Sequence, residues 1–282
     1  MKVLVTGAHG QLGSDVVARL EAGGIETIAA GQKDFDITDR KAVNAFFEKE
    51  KPDAVIHCAA YTAVDRAETE KELCRRVNVE GSANIAEAAQ KAGAKMIYVS
   101  TDYVFGNNGT QPLETDDEKN PLNVYGQSKL DGENAVLAAC EKVFIVRVSW
   151  VFGRNGANFV KSMVRLGEGR SELNVVCDQV GSPTFTEDLA VLFLDMIQTE
   201  KYGIYHATNE DYCSWAEFAS EIMRLSGTDC KIVPIPSAEY KTDAVRQLNS
   251  RLSKASLDKN GFSRLPSWRD ALQRYFTPDA RY

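Results

Sequence analysis

The stretch Thr6-Gly7-Ala8-His9-Gly10-Gln11-Leu12-Gly13 follows the apolar run KVLV of residues 2–5. Gly7, Gly10 and Gly13 recur at every third position, and the next residues, QLGSDVVARLEAGG, have the pattern of an amphipathic helix closed by glycine. The segment therefore reads as strand, tight turn, helix. In that setting each glycine has a task. Gly7 permits the turn, Gly10 lets backbone approach a phosphate, and Gly13 lets the helix pack closely on the strand. The helix N-terminus adds unpaired N–H groups and a partial positive charge. An ordinary tight turn without ligand would show the same glycines, so the rest of the chain has to decide.

Outward from the loop, apolar strands and helices alternate. IETIAA (25–30), DAVIHCAA (53–60), KMIYVS (95–100) and VFIVRVSWV (143–151) read as strands. Between them lie DITDRKAVNAFFEKEKP, opened by a Thr/Asp cap and stopped by Pro52, the long helical stretch CRRVNVEGSANIAEAAQKAGA, and NVYGQSKLDGENAVLAACE. Strands this apolar need cover on both faces, which predicts an α/β fold with a doubly wound parallel sheet of Rossmann type. Residues 1–150 form the dinucleotide-binding part on this reading. Residues 151–282, where the alternation loosens and most prolines fall, form a smaller mixed substrate lobe, with the option of elements returning to the main sheet.

Composition narrows the function. With 282 residues, 44% hydrophobic and 26% charged, the chain is expected to be globular, and its net charge of −7 without a basic block argues against nucleic acid as a partner. No run approaches membrane-span length, and MKVLVTG is too short in apolar residues for a secretory signal, so a cytoplasmic protein off the membrane is expected. The six cysteines and three histidines are dispersed without CxxC or HxxxH spacing, and no metal site is expected.

Tyr125 and Lys129 stand at i and i+4 on one face of a helix, just after a strand that ends Ser100-Thr101. Reducing a ketone requires a hydride on carbon and a proton on the developing alkoxide. A phenol titrates near ~10, and a neighbouring ammonium stabilises its phenolate. Thr101, or Ser100 beside it, supplies a hydrogen-bond donor for the carbonyl oxygen. At the end of the second strand, AAGQKDFD offers no acid where NAD-selective sites carry one; Lys33 reads either as a partner for a 2′-phosphate or as a solvated loop lysine.

The spacing G-x-x-G-x-x-G resembles the extended short-chain dehydrogenases/reductases. The segments GAHGQLG, PDAVIHCAAYTAVDRAE, STDYVFGN, PLNVYGQSKLDGE, VSWVFG and DQVGSPT resemble, nearly end to end, the dTDP-4-dehydrorhamnose reductase family. The resemblance implies NADPH-dependent reduction of a nucleotide-linked 4-keto-6-deoxyhexose, with NADH also usable. It implies Thr101, Tyr125 and Lys129 as the catalytic set. Gly7, Gly10, Gln11, Leu12, Gly13, Lys33, Asp36, Ile37, Ala59 and Ala60 would hold the cofactor together with Tyr125 and Lys129. Thr62, Val64, Asp102, Tyr103, Trp150 and Asn158 would line the substrate pocket, although Trp150 also fits a core aromatic and Asp102 a turn cap. Two departures stand out: Arg246-Gln247 where many relatives have Arg-Pro, and Arg274 where some relatives carry an acid that shares magnesium across a dimer. A monomer or a homodimer is expected. Two alternatives share the scaffold: a non-catalytic regulatory subunit similar to the methionine adenosyltransferase β-subunit, and a nucleotide-sugar epimerase.

Overall fold

In the computed structural model, which describes residues 1–107 and 109–277, the apolar runs assemble as the sequence predicts. Strands β1 (Lys2–Thr6), β2 (Glu26–Ala30), β3 (Ala54–His57), β4 (Lys95–Thr101) and β5 (Val143–Val148) pair in parallel, and Gly203–His206 adds a sixth strand beside β5. The order runs Gly203–His206, β5, β4, β3, β1, β2. The chain thus winds outward in both directions from the β1/β3 junction, where β1 is registered Val3 to Ala54 and Thr6 to His57. Such a switch point leaves a crevice at the carboxyl ends of the strands.

Both faces of the sheet are buried, which explains why these strands are uniformly apolar. Val3, Val5, Ile56, Ile97, Phe144 and Val146 pack one way, against Val16 and Leu20 of the Gln11–Ala22 helix and Leu189 and Phe193 of Thr186–Ile197. Leu4, Val55, Met96, Tyr98 and Ile145 pack the other way, against Val43, Phe47, Ile85 and Ala89. Residues beyond 150 therefore supply both a strand and a covering helix to the main sheet. A third core, around Phe152, Phe185, Phe218 and Trp268, lies within the C-terminal part.

Three departures from simple periodicity matter for the site. DAVIHCAA contributes only Ala54–His57 to the sheet, because Cys58 and Ala59 turn aside and donate their amides to Thr6, to its carbonyl at 3.2 Å and its hydroxyl at 3.4 Å. The long helical stretch is broken: Lys71–Arg75 passes into a π-helical turn, Arg76–Gly81, before Ser82–Ala92 resumes the α-helix. π-Turns displace a side chain from its regular position. Here Asn78 is buried, accepting from Tyr61 N at 2.8 Å and donating to Ser128 Oγ at 2.9 Å. VFIVRVSWV, read as one strand, ends at Val148. Trp150 has φ +49°, and Val151–Phe152 pairs instead with Thr184–Phe185.

Candidate active site

β1 delivers the chain to Gly7 at φ +65°, where a Cβ would stand 2.8 Å from the Ala59 nitrogen. A Cβ at Gly13 would overlap the Gly7 carbonyl, so both positions demand glycine. Gly10 donates to the Gly7 carbonyl at 2.9 Å and caps the Gln11–Ala22 helix without a side-chain bond. The first amides of a twelve-residue helix thus have no capping side chain, an arrangement suited to a pyrophosphate. Leu12 packs into the first core. Gln11 bonds outward: its Nε2 donates to the Val151 carbonyl at 3.1 Å, and its Oε1 accepts from Asn158 at 2.8 Å.

At the end of β2, Lys33 is exposed. The turn after Gly31 also recruits an acid that strand-end reading missed. Asp34 N donates to the Gly31 carbonyl at 3.0 Å, and Asp34 Oδ2 accepts from Gly31 N at 2.7 Å. Asp36 closes its own turn by accepting from Thr38 N at 2.8 Å, and Ile37 packs against Gly81. Ala59 and Ala60 are half-buried beside the glycine loop.

Across the crevice, Asn123 caps the Val124–Ala139 helix, accepting from Gly126 N at 2.8 Å. That helix carries Tyr125 and Lys129 one turn apart. Lys129 is 2% exposed; its Nζ donates to the Val99 carbonyl at 2.8 Å and lies 4.1 Å over the Tyr98 ring. Burial lowers its pKa to about 7. Burial also raises Tyr125 well above the usual phenol range, against an opposing hydrogen bond from Thr101. Thr101, from the end of β4, thus bonds Tyr125 at the helix start, and Lys129 follows one turn later on the same helix. Below them, His57 is held by Thr6 Oγ1 at 2.7 Å and Ser82 Oγ at 3.1 Å, and burial drops its pKa to about 3, so the imidazole is neutral. A buried ion pair, Arg147 Nη2 to Glu133 Oε2 at 2.7 Å, ties β5 to the same helix, and Ser100 donates to Glu133 at 2.5 Å. Ser100 is therefore held by Glu133, while the Thr101 hydroxyl donates to Asp102 Oδ1 and bonds the Tyr125 phenol.

Beyond Tyr103 opens a cleft of about 900 Å³ lined by Asp65, Tyr103, Phe159, Gln179, Trp215 and Arg246 among others. Tyr103 meets Tyr125 edge to face, with centroids 5.6 Å apart. Val64 begins the short helix Val64–Ala67 and Thr62 is exposed just before it. Trp150 stacks on Trp215. Of the six residues expected in the pocket, only Tyr103 is among those lining this cleft, and the side chains of two others are engaged inside the protein. Asp102 is 1% exposed and bonded to Thr101 and Gln247. Asn158 caps the Phe159–Gly167 helix and donates to Gln11 and to the Gly153 carbonyl. Sequence reading missed Trp215, Phe159 and the Arg246–Asp65 pair (2.7 Å) because only the folding of the C-terminal part brings them to the cleft. Trp215 does have a local signature, since Ser214 and Glu217 form a capping box, but that motif marks a helix start and not a ligand.

A parallel sheet with a glycine loop on one side of its switch point and a Tyr/Lys helix turn on the other is the layout of the extended short-chain dehydrogenases/reductases. Within that class, the sequence profile described as "RmlD substrate binding domain" matches residues 1–280, and the chain belongs to that family. It is 40% identical over 274 residues to the spore coat polysaccharide biosynthesis protein SpsK of Bacillus subtilis, covering 97% of this chain and 96% of that protein. It is 38% identical over 285 residues to dTDP-4-dehydrorhamnose reductase of Sinorhizobium fredii, covering 97% and 96%. The crystal structure of dTDP-4-dehydrorhamnose reductase from Bacillus anthracis in complex with NADP is 40% identical and superposes with a TM-score of 0.95, covering 98% of each chain.

Proposed function

We infer that the protein is an NADPH-dependent reductase that converts the 4-keto group of dTDP-4-dehydro-L-rhamnose to the alcohol, giving dTDP-L-rhamnose for rhamnose-containing polysaccharide. The observation that carries this reading is the Thr101–Tyr125 hydrogen bond at the end of β4, with buried Lys129 one helical turn beyond Tyr125, in a chain whose relatives of matching length include dTDP-4-dehydrorhamnose reductases.

The residues present fit the cofactor. Gly7 and Gly13 keep side chains out of the place where backbone must approach a pyrophosphate, and the uncapped helix start offers N–H groups to it. Lys33 is available to a 2′-phosphate, and Lys129 to the nicotinamide ribose. Bound NADPH supplies the hydride.

The chain's own residues handle the proton and the charge. Tyr125, kept as a neutral phenol by burial, donates its proton to the carbonyl oxygen as negative charge builds there. Lys129, as ammonium, stabilises the phenolate left behind. Thr101 donates a hydrogen bond to the same oxygen. The nucleotide end of the substrate occupies the cleft beyond Tyr103, with Thr62, Val64 and Trp150 near the sugar. Asp102 and Asn158 support this wall from behind, since their side chains are engaged within the protein.

No helix among the described residues is long and apolar enough to cross a membrane, and the six cysteines are free, which supports a cytoplasmic enzyme. The same reading takes it as a monomer or a homodimer formed without shared metal. The test is a coupled assay in which dTDP-4-dehydro-L-rhamnose and NADPH are mixed with the protein and the product identified by NMR. One dTDP-L-rhamnose per NADPH consumed is expected. A 4-epimeric product, or none, would overturn the reading.

A further inference from the structure

The Thr101 hydroxyl has one proton and more than one claimant. Its oxygen accepts from Tyr103 N at 3.2 Å and donates to Asp102 Oδ1 at 3.0 Å, and the hydroxyl also bonds the Tyr125 phenol. An ionised carboxylate only accepts. While Asp102 is charged, it therefore holds the one proton that Thr101 would need to offer a substrate oxygen. The second carboxyl oxygen of Asp102 is fixed separately: Gln247 Nε2 donates to Oδ2 at 3.0 Å, from a side chain only 3% exposed. The Ser250 hydroxyl also bonds the carboxyl, and with an amide N–H in place at Oδ2, Oδ1 is the oxygen that faces Thr101 and can take an added proton.

We propose that Asp102 is a positioning residue: protonated at Oδ1, with Gln247 holding Oδ2, it donates to Thr101 and turns the threonine proton toward the substrate carbonyl. The proposal rests on the assignment of Thr101 as a donor to that oxygen. It goes further by making Thr101 competent in one protonation state of its neighbour and not in the other. The groups facing Asp102 leave it free to change state. From β4 and the turn after it come Thr101 and Tyr103, from the Val124–Ala139 helix Tyr125, from Asn249–Ser250 the Ser250 hydroxyl, and from the preceding segment Gln247. Arg246 bears on Tyr103 and pairs with Asp65. Burial moves Asp102 up to about 6, within the range where activity is measurable.

The test combines a spectroscopic titration with kinetics. In the full-length protein without substrate, infrared difference spectra should show one buried carboxylic acid band that titrates near pH 6 and is absent in Asp102→Asn. Gln247→Leu removes a donor to the ionised form, so the band's midpoint should move to higher pH. In turnover, wild-type kcat should fall by about tenfold per pH unit above the Asp102 midpoint near pH 6, a limb that starts below the separate one set by loss of the Lys129 ammonium near pH 7. Asp102→Asn should lose this lower limb, because its amide donates to Thr101 at every pH while its carbonyl still accepts from Gln247. Thr101→Val should be slow and also lack the limb. An unmoved midpoint in Gln247→Leu, or a wild-type limb persisting in Asp102→Asn, would overturn the proposal. A slow Thr101→Val enzyme that retains the limb would overturn it while leaving the reductase reading intact. A fully active Thr101→Val enzyme would remove the assignment on which both rest.

Discussion

Trp150 lies face to face on Trp215, with ring centroids 3.7 Å apart and planes 15° from parallel. The contact joins the end of the Rossmann half to the first residue of the Trp215–Ser226 helix. It also holds Trp150 in the left-handed region, at φ +49°, where a bulky residue is strained. Gly181 makes room, since a Cβ there would stand 3.0 Å from the Trp150 ring. Phe159 packs on the other side of the pair, 4.4 Å from Trp215, and Phe159 and Trp215 both line the cleft.

Removing this wall should therefore impair binding more than chemistry. Trp215→Ala is expected to raise KM for the nucleotide sugar by roughly two- to tenfold, the scale of a lost aromatic pair at ~0.5–1.5 kcal/mol, and to change kcat less. Steady-state kinetics at saturating NADPH checks the split. An unchanged KM would place the substrate elsewhere.

The cofactor's 2′-phosphate provides a second test. Lys33→Glu is expected to raise KM severalfold for NADPH and to leave NADH nearly unaffected. Equal loss with both cofactors would make Lys33 a solvated loop residue. Asp34, folded back onto Gly31 N, supplies an internal control, because Asp34→Asn keeps the turn's acceptor while removing its negative charge. That change should favour NADPH further.

Stability should fall on acidification before most carboxylates titrate. Burial lowers His57 and His206 from 6.5 to about 3 in the folded state. Between those values the unfolded chain binds protons that the folded chain does not, so their contribution is present above pH 6.5 and is lost as pH falls toward 3. Asp102 acts in the opposite sense. Its folded pKa, raised from 3.8 to about 6, lets the folded chain keep a proton that the unfolded chain releases, and this offsets part of the loss between those values. The net expectation is a slope of ~1.4 kcal/mol per pH unit for each uncompensated proton. Urea denaturation from pH 7.5 to 4.5 should show a falling midpoint, with a shallower slope in His57→Gln. A midpoint rising over that range would contradict the assignment.

Acidic residues near the C-terminal helix already have internal partners. Arg154 pairs with Glu187 and donates to the Arg274 carbonyl at 2.6 Å, while Arg274 pairs with Asp188 and Asp270, each at 2.8 Å. Asp15 Oδ2 accepts from Thr186 at 2.5 Å. Guanidinium groups standing among these carboxylates supply the positive charge that a bridging cation would otherwise provide. The oligomeric state in sedimentation velocity is therefore expected to be unchanged by EDTA. A dimer that dissociates on chelation would show that the carboxylates share a metal.

The sequence was most legible where one physical constraint acts over a short span. β1 and its glycine loop could be read because Gly7 and Gly13 answer local backbone demands. Tyr125 and Lys129 could be read as a pair because helical spacing alone puts them one turn apart on the Val124–Ala139 helix. Legibility failed where tertiary crossings decide. Asp34 returns to Gly31 only through its turn, and Asn78 reaches Ser128 only through the π-turn. Gln247 meets Asp102 across 145 positions of sequence. VFIVRVSWV reads as continuous because apolarity does not reveal the break after Val148, where Trp150 takes φ +49° and Val151–Phe152 pairs with Thr184–Phe185. The strand Gly203–His206 is short, and what makes it part of the main sheet is its register with β5, Gly203 to Phe144 through His206 to Arg147.

The central claim is that Tyr125 is the proton donor in a working reductase, and Tyr125→Phe tests it most directly. The substitution removes one hydroxyl while Lys129 keeps its bond to Val99 and the glycine loop is untouched. The wild type should consume NADPH in step with dTDP-4-dehydro-L-rhamnose. In the Phe variant kcat should fall by ~10²–10⁴-fold, with NADPH affinity by fluorescence titration unchanged. Full turnover in the Phe variant, or a wild type that binds NADPH and never oxidises it with this ketone, would contradict the account.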